Sequence, residues 1–216
     1  MDPAVRVRVL AIDTALGLCS AALAELGRVT AVRSEAMQQG HQERLAPMAA
    51  EMMAGRPFEE VDRVAVTVGP GSFTGLRVGI AFAKGLGLAL DRPVVGIESL
   101  HAIAASAERS GRGCALIDAR RGQVYARLFD GAEPVGPAQA LTVEDLVAKC
   151  GDLAWIAGPG AALLAEHFPD AEVDPRPGPD PFAIARLGAQ ADPAKHPAEP
   201  VYLRAPDAKL PGGIDP

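Results

Sequence analysis

Aromatic residues are scarce in this sequence, since six Phe, two Tyr and one Trp make up only 4% of its 216 residues. Hydrophobic residues nevertheless account for 49% of the chain, so the apolar content is almost entirely aliphatic and suffices for a core. The length fits one compact body or two small lobes, and it excludes a long multidomain architecture.

Cysteine and positive charge are also limited. The three cysteines, Cys19, Cys114 and Cys150, lie far apart and form no CxxC pair, which favours reduced structural thiols over a zinc knuckle or a redox motif. The net charge is −6, whereas a protein that holds a nucleic acid by itself usually carries a basic stripe. Tight nucleic-acid binding by this chain alone is therefore not expected.

Long apolar runs are missing as well, because charged residues interrupt the apolar segments. This pattern predicts no segment that spans a bilayer and no membrane partner. The N-terminal sequence MDPAVRVRVLAID lacks the uninterrupted apolar stretch of a signal peptide. We therefore expect a cytoplasmic protein.

The N-terminal half contains a regular succession of strand and helix patterns. Alternating apolar positions, turn residues and apolar spacings of three and four predict the order βββαβαβα. The predicted strands are 5–12, 18–26, 28–36, 61–68 and 93–98, and the predicted helices are 41–54, 74–90 and 99–110.

The second half repeats this pattern. The segment LIDARRGQVYARL (116–128) aligns without a gap with AIDTALGLCSAAL (11–23), and LAWIAGPG (153–160) repeats VAVTVGPG (64–71) over a shorter distance. Such ordered matches indicate an internal duplication in which the second copy has lost material. The sequence therefore predicts an α/β fold of two similar lobes, each a sheet covered by helices.

The duplication also gives the expected domain boundaries. We expect an N-terminal lobe over 1–100, a C-terminal lobe over 101–205 and an irregular tail over 206–216. Within the second lobe, a last helix is predicted over 182–191, and the Pro-spaced residues from 192 onward are predicted to be irregular.

The loop GPGSFTG, between a predicted strand and a predicted helix, allows two interpretations. Backbone N–H groups at such a helix N-terminus attract anions, so Gly69 and Gly71 are candidates for phosphate binding. The alternative is a tight turn whose glycines permit close packing. Ser72 lacks the G-x-S-x-G frame of a serine hydrolase, which disfavours that class.

Charged residues near the duplicated first strands form a second candidate site. Asp13 and Asp118 would face each other across an interlobe cleft if they act on a nucleotide with magnesium; alternatively, each caps its own turn. Arg120 and Arg121 belong to the most basic region, which is either a solvated face or a contact for an anion such as RNA. The four histidines show no HxxxH pair, so no metal site is predicted.

Small residues follow one side of the predicted helix 74–90. Gly75, Gly79, Ala83 and Gly87 recur every four residues, and such a ridge lets another backbone approach closely. The ridge serves either packing within the chain or, together with the Met-rich helix 41–54, the binding of another subunit.

Five segments, LAIDTA, HQERLAP, GPGSFTGLRVG, DARRGQVY and PVYLR, resemble the bacterial TsaB (YeaZ) family in that order and over essentially the whole chain. The resemblance implies an α/β fold with two duplicated lobes of the actin/Hsp70/sugar-kinase (ASKHA) type, each a mixed sheet covered by helices. It also implies a non-catalytic role in making N6-threonylcarbamoyladenosine beside the anticodon of tRNAs that read codons beginning with A.

The resemblance implies partners too. The catalytic relative TsaD would bind through the helices at 41–54 and 74–90, and the ATPase TsaE would join the pair, while tRNA would be reached through the complex. No cofactor is required of this chain, and ATP or ADP is allowed at the interface. On these helices we choose as contact residues Leu45, Met48, Met52, Leu76, Ile80 and Lys84. Two alternatives remain: a homodimer through the same helices, and a stand-alone ATPase or metallopeptidase-like enzyme.

Overall fold

A computed structural model describes residues 7–25 and 28–204 of the chain. The predicted tail over 206–216, the last position of the predicted strand 18–26 and the first two positions of the predicted strand 5–12 lie outside the described residues. Within them, ten strands form two separate five-stranded sheets, one in each half of the chain.

The first sheet has the strand order β3-β2-β1-β4-β5. Strand β1 pairs antiparallel with β2 and parallel with β4, so the sheet is mixed. Its strands are β1 (Val9–Asp13), β2 (Leu18–Glu25), β3 (Arg28–Ala36), β4 (Arg63–Gly69) and β5 (Val94–Glu98).

The second sheet repeats the first, with the order β10-β9-β6-β7-β8 and the same parallel and antiparallel pairs. The predicted duplication and the predicted fold class are confirmed. Its strands are β6 (Arg112–Arg120), β7 (Gln123–Asp130), β8 (Glu133–Thr142), β9 (Trp155–Ala157) and β10 (Glu172–Asp174).

Five α-helices in the described part of the chain cover the sheets. They are α1 (His41–Met53), α2 (Phe73–Leu90), α3 (Ser99–Ala107), α4 (Val143–Cys150) and α5 (Pro181–Gln190). Helix α3 is shorter than predicted because Glu108, with a φ of +52°, ends it. In the second half, two short 3-10 turns between β9 and β10 replace the long helix α2, which accounts for the lost material.

Both faces of the first sheet are buried, because alternate residues of β1 point to opposite sides. Leu10 and Ile12 pack in the cluster that contains α1 and α2, while Val9 and Ala11 pack in the cluster that contains Ile184 of α5. A central strand buried on both sides explains the apolar run that ends at Asp13.

The last helix of each half packs on the sheet of the other half. Leu100 and Ile103 of α3 contact Phe129 and Trp155 of the second lobe, whereas α5 lies on β1, β2 and β4 of the first. The guanidinium of Arg63 holds α5 in place by donating from Nη1 to the carbonyl oxygens of Gly188 and Ala191, both at 2.7 Å.

The residues after α5 form a turn at 193–195 and then follow the first lobe without helix or strand; we call 192–204 the C-terminal strap. The Gly96 N–H donates to the His196 carbonyl at 2.9 Å, and the Val201 N–H donates to the Val68 carbonyl at 2.7 Å. The segment is irregular as predicted, but these bonds dock it on β5 and β4.

Candidate functional site

The two lobes enclose a cleft of about 630 Å³. Its first-lobe wall contains the turn after β1 and part of the GPGSFTG loop, and its second-lobe wall contains the end of β6. The cleft therefore brings together three of the residues predicted from the sequence, Gly71, Asp118 and Arg120.

The glycines of the GPGSFTG loop permit close packing within the first lobe. Gly69 has a φ of +112°, and a Cβ on Gly71 would lie 2.3 Å from the carbonyl oxygen of Ala15. The N–H of Ser72 donates to that same oxygen at 2.7 Å. These contacts support the tight-turn interpretation, while phosphate binding by Gly69 and Gly71 stays a prediction.

The Gly-Pro-Gly turn of the second lobe also packs closely on a backbone oxygen, but through its first glycine and at a different position of the chain. Gly158 has a φ of +117°, and its Cβ would lie 2.3 Å from the carbonyl oxygen of Leu116. The Gly160 N–H donates to the same oxygen at 3.1 Å. The Gly-Pro-Gly turn thus packs against the turn after β1 in the first lobe and against β6 itself in the second.

The two duplicated aspartates have similar local bonds but different exposure. Oδ1 of Asp13 accepts from the Ala15 N–H at 3.0 Å, and Oδ1 of Asp118 accepts from the Arg120 N–H at 2.7 Å, so each caps its own turn. Asp13 is completely buried, whereas the side chain of Asp118 is 38% exposed. The expectation that both carboxylates face each other across the cleft is wrong, since Asp118 lines the cleft and Asp13 does not.

The buried Asp13 has an unusual electrostatic environment. Its Oδ1 also accepts from the Thr67 hydroxyl at 2.5 Å, and its Oδ2 is buried without a partner among the described residues. Loss of solvation raises the pKa of this carboxyl above its usual range, although the bonds from Thr67 and Ala15 oppose the shift. The negative charge of Asp13 is thus disfavoured in the folded chain.

Arg120 is the last residue of β6 and lines the cleft, and Arg121 follows it in the turn to β7. Both have a positive φ, of 63° and 57°, which is uncommon for residues other than glycine. Arg120 is 86% exposed and lies 3.6 Å from a carboxylate oxygen of Asp118. An exposed pair of this kind contributes little stability, so the arginine charge remains accessible to an anion. RNA contact by these residues stays a prediction.

Most residues chosen as partner contacts on the helices lie in the core instead. Leu45, Met48, Met52, Leu76 and Ile80 are between 0% and 6% exposed. Because these side chains pack on the first sheet, the choice of helix face was wrong, and of the six residues only Lys84 is exposed.

The ridge of small residues on α2 is buried as well. A Cβ on Gly75 would lie 2.0 Å from the carbonyl oxygen of Thr14, and one on Gly79 would lie 2.4 Å from the Thr14 hydroxyl. The Thr14 hydroxyl also donates to the Gly75 carbonyl at 2.7 Å. The ridge therefore serves packing within the chain.

The opposite sides of α1 and α2 form an exposed, mainly apolar surface, which we call the outer face. It consists of Ala46, Pro47, Ala50, Arg77, Ala81, Lys84, Gly85 and Leu88. Leu88 is 85% exposed. The sequence predicted no segment that spans a bilayer, but by length and composition alone α2 is long and apolar enough to do so. Only 33% of its residues are buried inside the protein. Here α2 covers the first sheet and presents its apolar outer side to solvent.

Sequence reasoning missed an aromatic and cationic group at the start of α2. The rings of Phe73 and Tyr202 lie 5.4 Å apart, and the guanidinium of Arg77 lies 3.6 Å from the centre of the Phe73 ring. Arg204 continues from there to the second lobe, donating to the Ala119 carbonyl at 2.8 Å. The PVYLR segment contains the strap residues of this group, but its pattern does not indicate what they contact.

The histidines and cysteines are dispersed. His41 is buried in α1, His101 is half-buried in α3, and His167 and His196 are exposed. The part of the chain that the structure describes contains no group of three His, Cys, Asp or Glu side chains arranged to hold a metal ion. All three cysteines are buried and unbridged.

Comparisons with known proteins agree with this architecture. The family model TsaD, described as tRNA N6-adenosine threonylcarbamoyltransferase, matches residues 27–192. The solved structure of YeaZ from Pseudomonas aeruginosa is 30% identical with a TM-score of 0.77, covering 91% of this chain and 100% of that one. An uncharacterized protein of Mycobacterium tuberculosis is 39% identical over 218 residues, covering 93% of each chain.

Relatives that carry a functional name match over a shorter length. The "tRNA threonylcarbamoyladenosine biosynthesis protein TsaB" of Escherichia coli is 40% identical over 124 residues, which is 55% of this chain and 53% of the relative. The chain thus spans about half the length of that relative, and the protein of the same name from Bacillus subtilis matches over a similar share, 54% of its length. Taken together with the duplicated lobes and the near-complete match to the YeaZ structure, these similarities show that the chain belongs to the TsaB (YeaZ) family, within the larger group that the TsaD model describes.

Proposed function

We propose that this chain is a non-catalytic subunit in the biosynthesis of N6-threonylcarbamoyladenosine, the modified base beside the anticodon of tRNAs that read codons beginning with A. In this role it binds the catalytic relative TsaD and supports it. The names of the TsaB relatives support the pathway. The outer face of α1 and α2 is the observation that carries the binding role.

The chemistry of the outer face suits a helical partner. Ala46, Ala50, Ala81 and Gly85 are small, so helices of another protein can approach these two helices closely. Leu88 projects from the surface, and burying its side chain fully would contribute about 1.5–3 kcal/mol to association. Arg77 and Lys84 add positive charge to this face.

The remaining parts of the proposal concern the other components. TsaE joins the pair, ATP or ADP is held at the interface rather than by this chain alone, and tRNA is bound by the complex. Because this chain carries a net charge of −6, most phosphate contacts belong to the partner, with Arg120 and Arg121 adding a local positive surface. The complex acts in the cytoplasm.

Charge substitution on the outer face tests the proposal. Leu88→Asp places a carboxylate in the interface, so the variant should fail to co-migrate with TsaD on size exclusion at micromolar concentration. Val135→Asp is the matched control, because Val135 is an exposed apolar residue of the second lobe, and this variant should still co-migrate. Co-migration of Leu88→Asp with TsaD would contradict the outer face as the binding surface.

Two further measurements separate the alternatives. A dimer of the isolated chain that is lost in Leu88→Asp would indicate that homodimer and heterodimer share the outer face. The isolated chain, given tRNA and an activated threonylcarbamoyl donor, should transfer no threonylcarbamoyl group, and product formed without TsaD would contradict the non-catalytic role.

The interlobe cleft favours a second candidate, a stand-alone ATPase. Its volume of about 630 Å³ and the polar residues Ser72, Asp118 and Arg120 are compatible with a nucleotide. Calorimetric titration of the isolated chain with ATP and magnesium distinguishes the candidates. Turnover that is lost in Asp118→Asn, with the fold retained, would favour the enzyme over the subunit.

A further inference from the structure

A second cavity, of about 370 Å³, lies where the two lobes meet away from the cleft. The end of β5, helices α3 and α5, strands β7 and β8 and the C-terminal strap all contribute to its wall. It shares no lining residue with the interlobe cleft or with the outer face of α1 and α2. Its chemistry is therefore separate from the proposed subunit function.

Glu98 supplies the acidic group of this cavity. Its Oε2 accepts from Nη1 of Arg127 at 2.5 Å, but its Oε1 is buried without a partner among the described residues. Burial raises the pKa of this carboxyl, while the neighbouring Arg127 opposes the shift. A buried carboxylate oxygen that lacks a donor is a favourable acceptor for the N–H groups of a ligand.

Arg127 supplies the basic group and is held in a fixed position. Its Nε donates to the Gly136 carbonyl at 2.9 Å and its Nη1 donates to Glu98, whereas its Nη2 has no partner among the described residues. The Glu98 carboxylate and the Arg127 guanidinium thus lie side by side in the wall of the cavity. A ligand complementary to this pair carries a positive donor and a negative acceptor at the same short separation.

The rest of the wall limits the size and polarity of such a ligand. Ile97, Pro134, Leu187 and Ala191 form an apolar side. His101 adds little positive charge, because burial and the charge of Arg127 lower its pKa. Nδ1 of the exposed His196 bonds to the Asp192 carbonyl. The cavity volume of about 370 Å³ suits a ligand with two charged groups and only a few additional heavy atoms.

We propose that this cavity binds a zwitterionic α-amino acid with a small apolar side chain. The ammonium group donates to Oε1 of Glu98, the carboxylate accepts from Nη2 of Arg127, and the side chain contacts Leu187 and Ile97. Because the wall combines strands of the second lobe with α5 and the strap, a bound amino acid contacts elements of both lobes.

Ligand-observed saturation-transfer NMR on the full chain tests this proposal, with L-alanine as the probe at about 10 mM, since weak affinities are accessible at that concentration. Propylammonium lacks the carboxylate and propionate lacks the ammonium group. We expect both analogues to bind at least about tenfold more weakly than L-alanine, because each leaves one charged group of the cavity unpaired. No saturation transfer to L-alanine, or equal binding of either analogue, would overturn the proposal.

A variant pair locates the site. Glu98→Gln removes the charge of the cavity and should weaken L-alanine binding at least about tenfold. Glu172→Gln is the matched control, because Glu172 pairs with Arg109 on the surface, and it should bind L-alanine like the parent. Unchanged binding by Glu98→Gln would refute the assignment; if that variant does not fold, the comparison of the two analogues on the parent chain decides.

Discussion

Two glycines of helix α2 should respond in opposite directions to the same substitution. A Cβ on Gly75 would lie 2.0 Å from the backbone oxygen of Thr14, which cannot rotate away. A Cβ on Gly85, farther along the same helix, would meet nothing within 4 Å. Alanine at the two positions therefore separates the cost of a steric clash from the gain in helix propensity.

The expected magnitudes follow from these distances. In Gly75→Ala the turn after β1 has to move, and such overpacking costs about 1–3 kcal/mol. The Thr14 bond to the Gly75 carbonyl would be strained as well, which adds up to about 1 kcal/mol. In Gly85→Ala the backbone entropy of glycine is removed without a clash, so the free energy of unfolding should rise by about 0.5–1 kcal/mol.

Urea denaturation of both variants and the parent measures the difference, with far-UV circular dichroism to report on the whole chain. The only tryptophan, Trp155, lies in β9, so its fluorescence reports on the second lobe. Gly75→Ala should lower the urea midpoint and Gly85→Ala should raise it at an unchanged slope. If Gly75→Ala proves as stable as Gly85→Ala, the close approach of the turn to α2 is refuted.

Two further predictions concern the contacts that join the lobes and the buried acid. Arg63→Met removes the guanidinium bonds to the end of α5, and we expect about 2–4 kcal/mol lower stability in urea denaturation. Arg28→Met, at an exposed position of β3, should change the stability by less than about 0.5 kcal/mol. Equal effects of the two substitutions would contradict the role of Arg63. Asp13→Asn keeps the Oδ1 acceptor and removes the ionisable carboxyl group. Because the pKa of Asp13 is raised in the folded chain, the parent loses stability as the pH rises above 3.8, the ordinary pKa of this carboxyl. The stability of Asp13→Asn relative to the parent should therefore increase from pH 3 to pH 7. Urea midpoints that show no such trend would refute the raised pKa of the buried Asp13.

The strands and helices of the first half could be predicted from sequence because each has a clear apolar period and distinct turn residues. The buried side of α2 could not, because the helix is nearly uncharged and both of its sides are compatible with a core. Thr14 decides which side is buried, because its carbonyl oxygen lies so close to the helix that only glycine fits at position 75. That contact joins residues far apart in sequence and leaves no local signal.

The cavity and the strap were missed for a related reason. Glu98 and Arg127 belong to different lobes, and neither lies in a recognisable motif, so their pairing depends on how the lobes meet. The strap has no regular hydrogen-bonding pattern of its own, and its position is fixed by single bonds such as that from Val201 to Val68. By contrast, the duplication was visible in the sequence because Asp and Gly-Pro-Gly recur in the same order.

The crossing of α3 and α5 between the lobes has a consequence for how the chain can be divided. Cutting it between α3 and β6, near residue 110, would leave the first sheet without α5 and the second without α3, so each fragment would expose an apolar sheet face. A polypeptide made of one half alone would lack its covering helix but would carry the helix that a second copy needs. Two such copies would complete each other by exchanging helices, which is the geometry of a domain-swapped homodimer. In this protein the single chain makes that exchange intramolecular, so it does not depend on protein concentration.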